Sequence, residues 1–190
     1  MTVSQRMTEA FGGIKTPKQR QLRTALDRCQ LTIEDLEPSL ESPSVYPYGR
    51  KLLYRSEQVE VLVMNWAQRS ECSPHDHGQS SGWVTIIDGE ATHTAFKLDE
   101  NSVPIFHKTA RASAGQWLSA PKRLIHSMGN PTDQRLVTVH VYSPPISGMT
   151  VYDLHRCAAC LVRDDCGAWW PESQRQIVEQ ILLTGRQLTA

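Results

Sequence analysis

His75-Asp76-His77 is followed much later by His126. An H-x-H pair on an extended strand puts both imidazoles on one face, because side chains alternate with a period of two. A third imidazole from a distant strand completes a facial set of ligands for one metal ion. Three neutral imidazoles leave the full dipositive charge on such an ion. The site therefore favours an anionic chelating ligand and leaves several coordination positions open. Imidazole suits iron, zinc, copper and nickel alike, so ligand type alone does not name the metal. A second chemical signal lies in residues 136–142, where Val137, Val139 and Val141 alternate with Thr138, His140 and Tyr142. One face of that strand is apolar. The other is a polar row that is costly to bury unless it serves a site.

The elements that must position these residues are mostly short strands. Residues 48–54, 59–66, 82–87, 91–98, 115–118 and 136–142 are rich in β-formers and separated by turn residues. Asp88-Gly89 between two apolar runs signals a hairpin turn. Strands at this spacing predict a sandwich or barrel. Ahead of them, residues 1–15 are polar, carry Gly12-Gly13 and read as frayed. Thr16-Pro17 reads as an N-cap followed by proline at the first helical position, and Leu22, Ala25, Leu26 and Cys29 then share one helix face. Thr32 with Glu34, Asp35 and Leu36 suggests a second brief helical turn. Residues 38–47, with three prolines and three serines, read as a surface linker. After Pro144-Pro145 strand character is lost. Ile177, Val178, Ile181 and Leu182 recur at helical spacing, which predicts a terminal helix.

The expected organisation is one compact domain: a helical segment and linker over 1–47, a barrel over 48–145, and an extension over 146–190. A chain of 190 residues buries roughly 70 % of its unfolded surface and needs no disulfide or metal staple to fold. Twenty basic residues balance twenty acidic ones, which argues against nucleic acid or an anionic membrane as the main partner. No apolar run is long enough to span a bilayer, and the first residues do not read as a secretory signal. Five cysteines without framework spacing point to a reducing, cytoplasmic setting.

Around the histidines the chain resembles the two motifs of the cupin barrel. In the first, G-x5-H-x-H-x3,4-E-x6-G, His75, His77 and Gly89 match, Gly82 stands in the glutamate slot and Glu71 precedes the pair. In the second, G-x5-P-x-G-x2-H-x3-N, Gly115, Pro121, His126 and Asn130 match, and Arg123 replaces a glycine. The resemblance implies a mainly β, jelly-roll-like cupin barrel, here with short N-terminal helices and a C-terminal helix. Tyr48-Gly49-Arg50, Asn65-Trp66, the run from His75 to Ser80 and His140-Val141-Tyr142-Ser143-Pro144-Pro145 narrow it further. Over roughly residues 45–155 they resemble the cysteine dioxygenase family in its bacterial form.

Members of that family oxidise a thiol to a sulfinic acid with non-haem Fe(II) and O2. The resemblance implies that His75, His77 and His126 hold one Fe(2+) per chain. It makes Arg50 the partner of the substrate carboxylate, with Tyr48 beside it, and Tyr142 a catalytic tyrosine aligned by His140. A planar guanidinium can hold a carboxylate in bidentate fashion. Gly82 falls where animal members carry a cysteine cross-linked to the tyrosine, so Tyr142 remains a free phenol. The implied partners are L-cysteine and O2, and the implied protein is a monomer.

Two other functions compete. Dioxygenases of 3-mercaptopropionate resemble this chain but carry glutamine in the arginine's place, so Arg50 favours cysteine. A non-catalytic cupin binding a metal or a small acid, as a sensor, is the reading from another class. Other residues read as structural: Trp66 in the core, His93 and His107 facing outward, Cys29 as a small hydrophobe and Cys72 as a free thiol. His155-x-Cys157-x2-Cys160-x5-Cys166 has ligand types suited to a structural zinc, against which loose thiols in a C-terminal lid are the plainer reading.

Overall fold

A computed structural model describes residues 1–171 and 173–183. Three helices come first: α1 (Val3–Phe11), α2 (Gln19–Arg28) and α3 (Ile33–Leu36). The strands β1 (Tyr48–Arg55), β2 (Glu60–Trp66), β3 (Ser70–Glu71), β4 (Ser81–Asp88), β5 (Glu90–Leu98) and β6 (Pro104–Ser113) follow. After them come β7 (Trp117–Ala120), β8 (Ile125–Asn130) and β9 (Leu136–Ser143), then β10 (Thr150–Asp153), β11 (Ala158–Val162) and β12 (Ile177–Leu182). One sheet has the order β1-β2-β9-β4-β7 and a second the order β3-β8-β5-β6. These are the two walls of the expected mainly β, jelly-roll-like barrel. A third sheet, β10-β11-β12, comes from the C-terminal extension.

The alternation along β2 and β9 decides what lies on each side of the first wall. Leu62, Met64 and Trp66 join the core between the walls, whereas Val61, Val63, Val137, Val139 and Val141 belong to a separate apolar cluster. That cluster is completed by Met7 and Phe11 of α1, Leu22 and Leu26 of α2, and Leu36 of α3. The helices thus roof an apolar stripe that would otherwise face water. Each fully buried Val, Leu or Phe contributes about 1.5–3 kcal/mol to holding them there.

This roof corrects the reading of residues 1–15 as frayed. Thr2 and Gln5 form a reciprocal capping box, and Met7 and Phe11, one helical turn apart, are buried. Helix α2 begins at Gln19 rather than at Pro17, because Thr16 takes a left-handed φ of 44°. Its Leu22, Ala25 and Leu26, with the C-cap Cys29, are buried as their spacing implies, and Thr32 caps α3.

Asp88-Gly89 does not close a hairpin. Gly89, at φ +84°, turns the chain out of β4 in the first sheet and into β5 in the second. A Cβ there would meet the Arg135 carbonyl oxygen at 2.1 Å, so the corner requires glycine. The extension also departs from expectation, since strands resume at Thr150. Residues 177–182 form β12 rather than a helix, pairing Ile181 with Ala159 and Glu179 with Leu161. Ile177, Val178 and Ile181 are β-branched, and so short an apolar run fits either period until a partner strand is available. Residues 184–190, the rest of the expected helix, lie outside the described residues. Among the described residues no helix is long and apolar enough to cross a membrane.

Candidate metal centre and its pocket

His75 and His126 are paired through their own backbones. His75 N–H donates to the His126 carbonyl and His126 N–H to the His75 carbonyl, each at 2.9 Å. On its other side the same segment is tied to β10: Asp76 N–H donates to the Thr150 carbonyl at 3.0 Å, and Tyr152 N–H to the Pro74 carbonyl at 2.8 Å. Asp76 turns away from its histidine neighbours, accepting from Gly78 N–H at 2.8 Å and Thr150 N–H at 3.2 Å. His75 and His77 are left on the inner face, although the segment forms isolated bridges at His75 rather than the extended strand that the spacing suggested.

His75, His77 and His126 are 6, 4 and 1 % exposed, and one ligand atom from each lies within 4.8 Å of the others. His75 Nδ1 lies 2.9 Å from the Ser73 carbonyl, so it donates there and leaves Nε2 for the centre. His126 Nε2 lies 3.3 Å from His77 Nε2, while His126 Nδ1 lies 2.7 Å from His93 Nε2. Burial holds all three rings neutral, His75 down to about 4 and His77 and His126 well below the usual imidazole range. Neutral rings with converging lone pairs are the ligating form. His77 Nδ1 is a buried nitrogen without a hydrogen-bond partner. These residues fit a divalent metal ion. Glu71 takes no part: it is exposed and accepts from the Ser127 hydroxyl.

The inward face of β9 carries a hydrogen-bonded chain into this centre. Trp66 Nε1–H donates to Thr138 Oγ1 at 2.9 Å, and Thr138 Oγ1 lies 2.8 Å from His140 Nε2. His140 Nδ1 lies 3.1 Å from the Tyr142 hydroxyl, which is 3.2 Å from His77 Nε2. An indole can only donate. The arrangement that leaves no donor idle then has Thr138 donating to His140 Nε2 and His140 Nδ1–H donating to the Tyr142 oxygen. The Tyr142 hydrogen remains for the pocket. Burial pushes the Tyr142 phenol up and His140 down to about 3, so both are neutral. Gly82 sits opposite Tyr142 in the β4–β9 register, and a Cβ there would lie 2.7 Å from the tyrosine ring. Glycine makes room for the ring and offers it no sulfur.

Arg50 and Tyr48, from β1, line the same pocket as the histidines and Tyr142, with Leu62, Met64 and Met128 as apolar wall. Its far side is residues 163–168 of the extension. Arg50 donates from Nη1 to the Cys166 carbonyl and from Nη2 to the Asp164 carbonyl, both at 3.2 Å. The Tyr48 hydroxyl accepts from Ala168 N–H at 2.7 Å. Cys72 and Cys166 also face the pocket, but burial pushes their thiols up to about 12 and about 11. They stay protonated and unreactive. Among the described residues His155, Cys157, Cys160 and Cys166 form no group that could hold a metal.

Sequence reasoning misplaced His93. Rather than facing outward, it stands in the barrel wall behind His126. The signal was present, since Ala91, His93 and Ala95 share one face of β5 and both alanines are buried. Thr138 belongs to the polar row that the alternation assigns to a site, whereas Trp66, expected only as a core residue, also starts the chain to Tyr142. Residues 163–168 carry no signal beyond their cysteine, because they act through main-chain carbonyls and an amide.

Four buried imidazoles and the half-buried His93, all neutral, have a consequence for the metal-free protein. Burial depresses His75 and His93 to about 4, His140 to about 3, and His77 and His126 further. The unfolded chain takes up protons near pH 6.5 while the folded chain does not. Stability is therefore fully present above pH 6.5 and is lost as pH falls toward the folded values. Within that window the slope follows the number of protons that the unfolded chain takes up in excess of the folded one. Thermal unfolding of the metal-free protein should drop steeply between pH 6.5 and 5, and a flat profile would contradict the burial of these rings.

The cysteine dioxygenase type I family model matches residues 44–155, which stops short of residues 163–168. Among solved structures, an uncharacterised conserved protein with a double-stranded β-helix domain from Klebsiella pneumoniae subsp. pneumoniae is 19 % identical, with a TM-score of 0.51 over 60 % of this chain and 90 % of that one. An oxalate oxidase in complex with the substrate analogue glycolate is 14 % identical, with a TM-score of 0.50 over 62 % of this chain and 61 % of that one. At such identities these likenesses show the cupin fold alone.

Proposed function

The chain belongs to the cysteine dioxygenase type I family, and from that membership we propose that it is a non-haem iron(II) thiol dioxygenase, oxidising L-cysteine with O2 to cysteine sulfinic acid. The observation that carries the reading is that Arg50, Tyr142 and the three histidines line one pocket. Held by His75, His77 and His126, a ferrous ion would supply a Lewis-acidic centre for the thiolate and the electrons that activate O2.

The chain's own residues do the rest. Three neutral imidazoles add no charge, so the centre accepts an anionic thiolate. Arg50 spends two N–H groups on the carbonyls of Asp164 and Cys166, which fix its plane, and keeps the others for the substrate carboxylate. Tyr48 is the wall beside it. The apolar side chains of Leu62, Met64 and Met128 keep bulk water from the reacting sulfur. Tyr142 directs its hydroxyl hydrogen at an oxygen of substrate or O2, and His140 holds it there. One thiol and one O2 yield one sulfinic acid, both oxygen atoms ending on sulfur.

The test is oxygen consumption by the iron-loaded protein across L-cysteine, cysteamine and 3-mercaptopropionate, with the products identified. Cysteine should be used fastest and give the sulfinate. Oxygen uptake with none of them would leave a non-catalytic binding protein. Within that assay, Tyr142→Phe should keep iron and substrate binding while slowing oxidation roughly ten- to a thousandfold, the loss of one positioned donor. His140→Ala should be similar, and the double variant little worse than either, because the pair acts as a unit. Additive losses would mean that the two work independently.

A further inference from the structure

We propose that His93 is the positioning residue of His126, accepting its Nδ1–H and so turning its Nε2 lone pair to the metal. This rests on the metal-binding part of the function proposed above and not on the identity of the thiol. His93 Nε2 lies 2.7 Å from His126 Nδ1, and the two rings meet nearly edge-on, at 84° with centroids 4.9 Å apart. That is the approach of an N–H···N bond rather than of a stack.

The strand register makes the contact a built one. His126 lies opposite Ala95 on β5, which places His93, two residues earlier, diagonally beside it on the same inward face. Two neutral rings share a single hydrogen along this axis. Since His126 Nε2 faces His77 Nε2 at the centre, it must keep its lone pair, and the hydrogen therefore sits on His126 Nδ1. His93 is left as acceptor through Nε2.

The other two ligands are held differently. His75 Nδ1 donates to the main-chain carbonyl of Ser73, an acceptor that no substitution removes, and His77 Nδ1 has no partner. Of the three, His126 is the one whose Nδ1 meets another imidazole. A group that orients a ligating histidine in this way is generally worth about 10- to 100-fold in metal affinity.

The experiment titrates metal-stripped full-length protein with Co(II) in competition with a chelator, and follows thermal unfolding of the same metal-free samples. His93→Leu removes the acceptor and should weaken Co(II) about 10- to 100-fold. His93→Gln offers an amide oxygen in its place and should stay close to the parent. His93→Lys can only donate, opposes the required tautomer, and should bind at least as weakly as the leucine variant. The metal-free midpoints of the glutamine and leucine variants, neither of which buries a charge, should not follow the order of their affinities, as they would if His93 merely filled space. Should the leucine variant fail to fold, the glutamine and lysine variants decide. Equal Co(II) affinity in those two, or a leucine variant that binds as tightly as the parent, overturns the assignment. Because no turnover is read, failure of the thiol dioxygenase reading would leave this result standing on its own.

Discussion

His126→Ala should lose its iron on dialysis and consume no oxygen with any thiol, and His75→Ala and His77→Ala should behave alike. Two imidazoles cannot occupy a facial set of three positions, and among the described residues these three histidines are the group arranged to hold a metal. The backbone bonds between His75 and His126 do not involve the rings, so alanine leaves the strand pairing in place. The metal-free variant should therefore fold, and circular dichroism of the stripped proteins separates loss of metal from loss of structure. Full iron content in His126→Ala would place the metal elsewhere.

The second large effect is selective. Arg50→Ala should cut catalytic efficiency for L-cysteine far more than for cysteamine, which lacks the carboxylate. A charge-assisted bidentate contact is worth on the order of 2–4 kcal/mol, or roughly 30- to 1000-fold. Arg50 also ties down residues 163–168 through the carbonyls of Asp164 and Cys166. Whatever loss the two thiols share therefore reports the loosened far wall, and the excess for cysteine reports the clamp. Equal losses would reduce Arg50 to a structural tie.

The strands were legible where an inner and an outer face differ in polarity. Residues 136–142 show this best: the valines lie under the helices and Thr138, His140 and Tyr142 face the pocket, as the alternation implied. β6 and β8 were not legible. The first is an edge strand whose residues are mostly exposed, and the second, Ile-His-Ser-Met-Gly-Asn, is poor in β-formers and owes its shape to pairing with β3 and β5. The roof of helices was half visible, because the polar residues of α1 hide the two buried ones that matter, Met7 and Phe11. The three histidines stood out through their spacing. The far wall did not, since main-chain groups at residues 163–168 have no side-chain signature, and the cysteines of the extension, whose ligand types suit zinc, build no metal group among the described residues.

The measurement that most directly tests the central claim is made on anaerobic, iron-loaded protein mixed with one equivalent of L-cysteine and then exposed to ¹⁸O2. The thiol should remain intact until oxygen enters. It should then be converted to cysteine sulfinic acid carrying both labelled atoms in a single product. Recovery of intact thiol or of cystine, or a sulfinate with one oxygen from water, would contradict a dioxygenase.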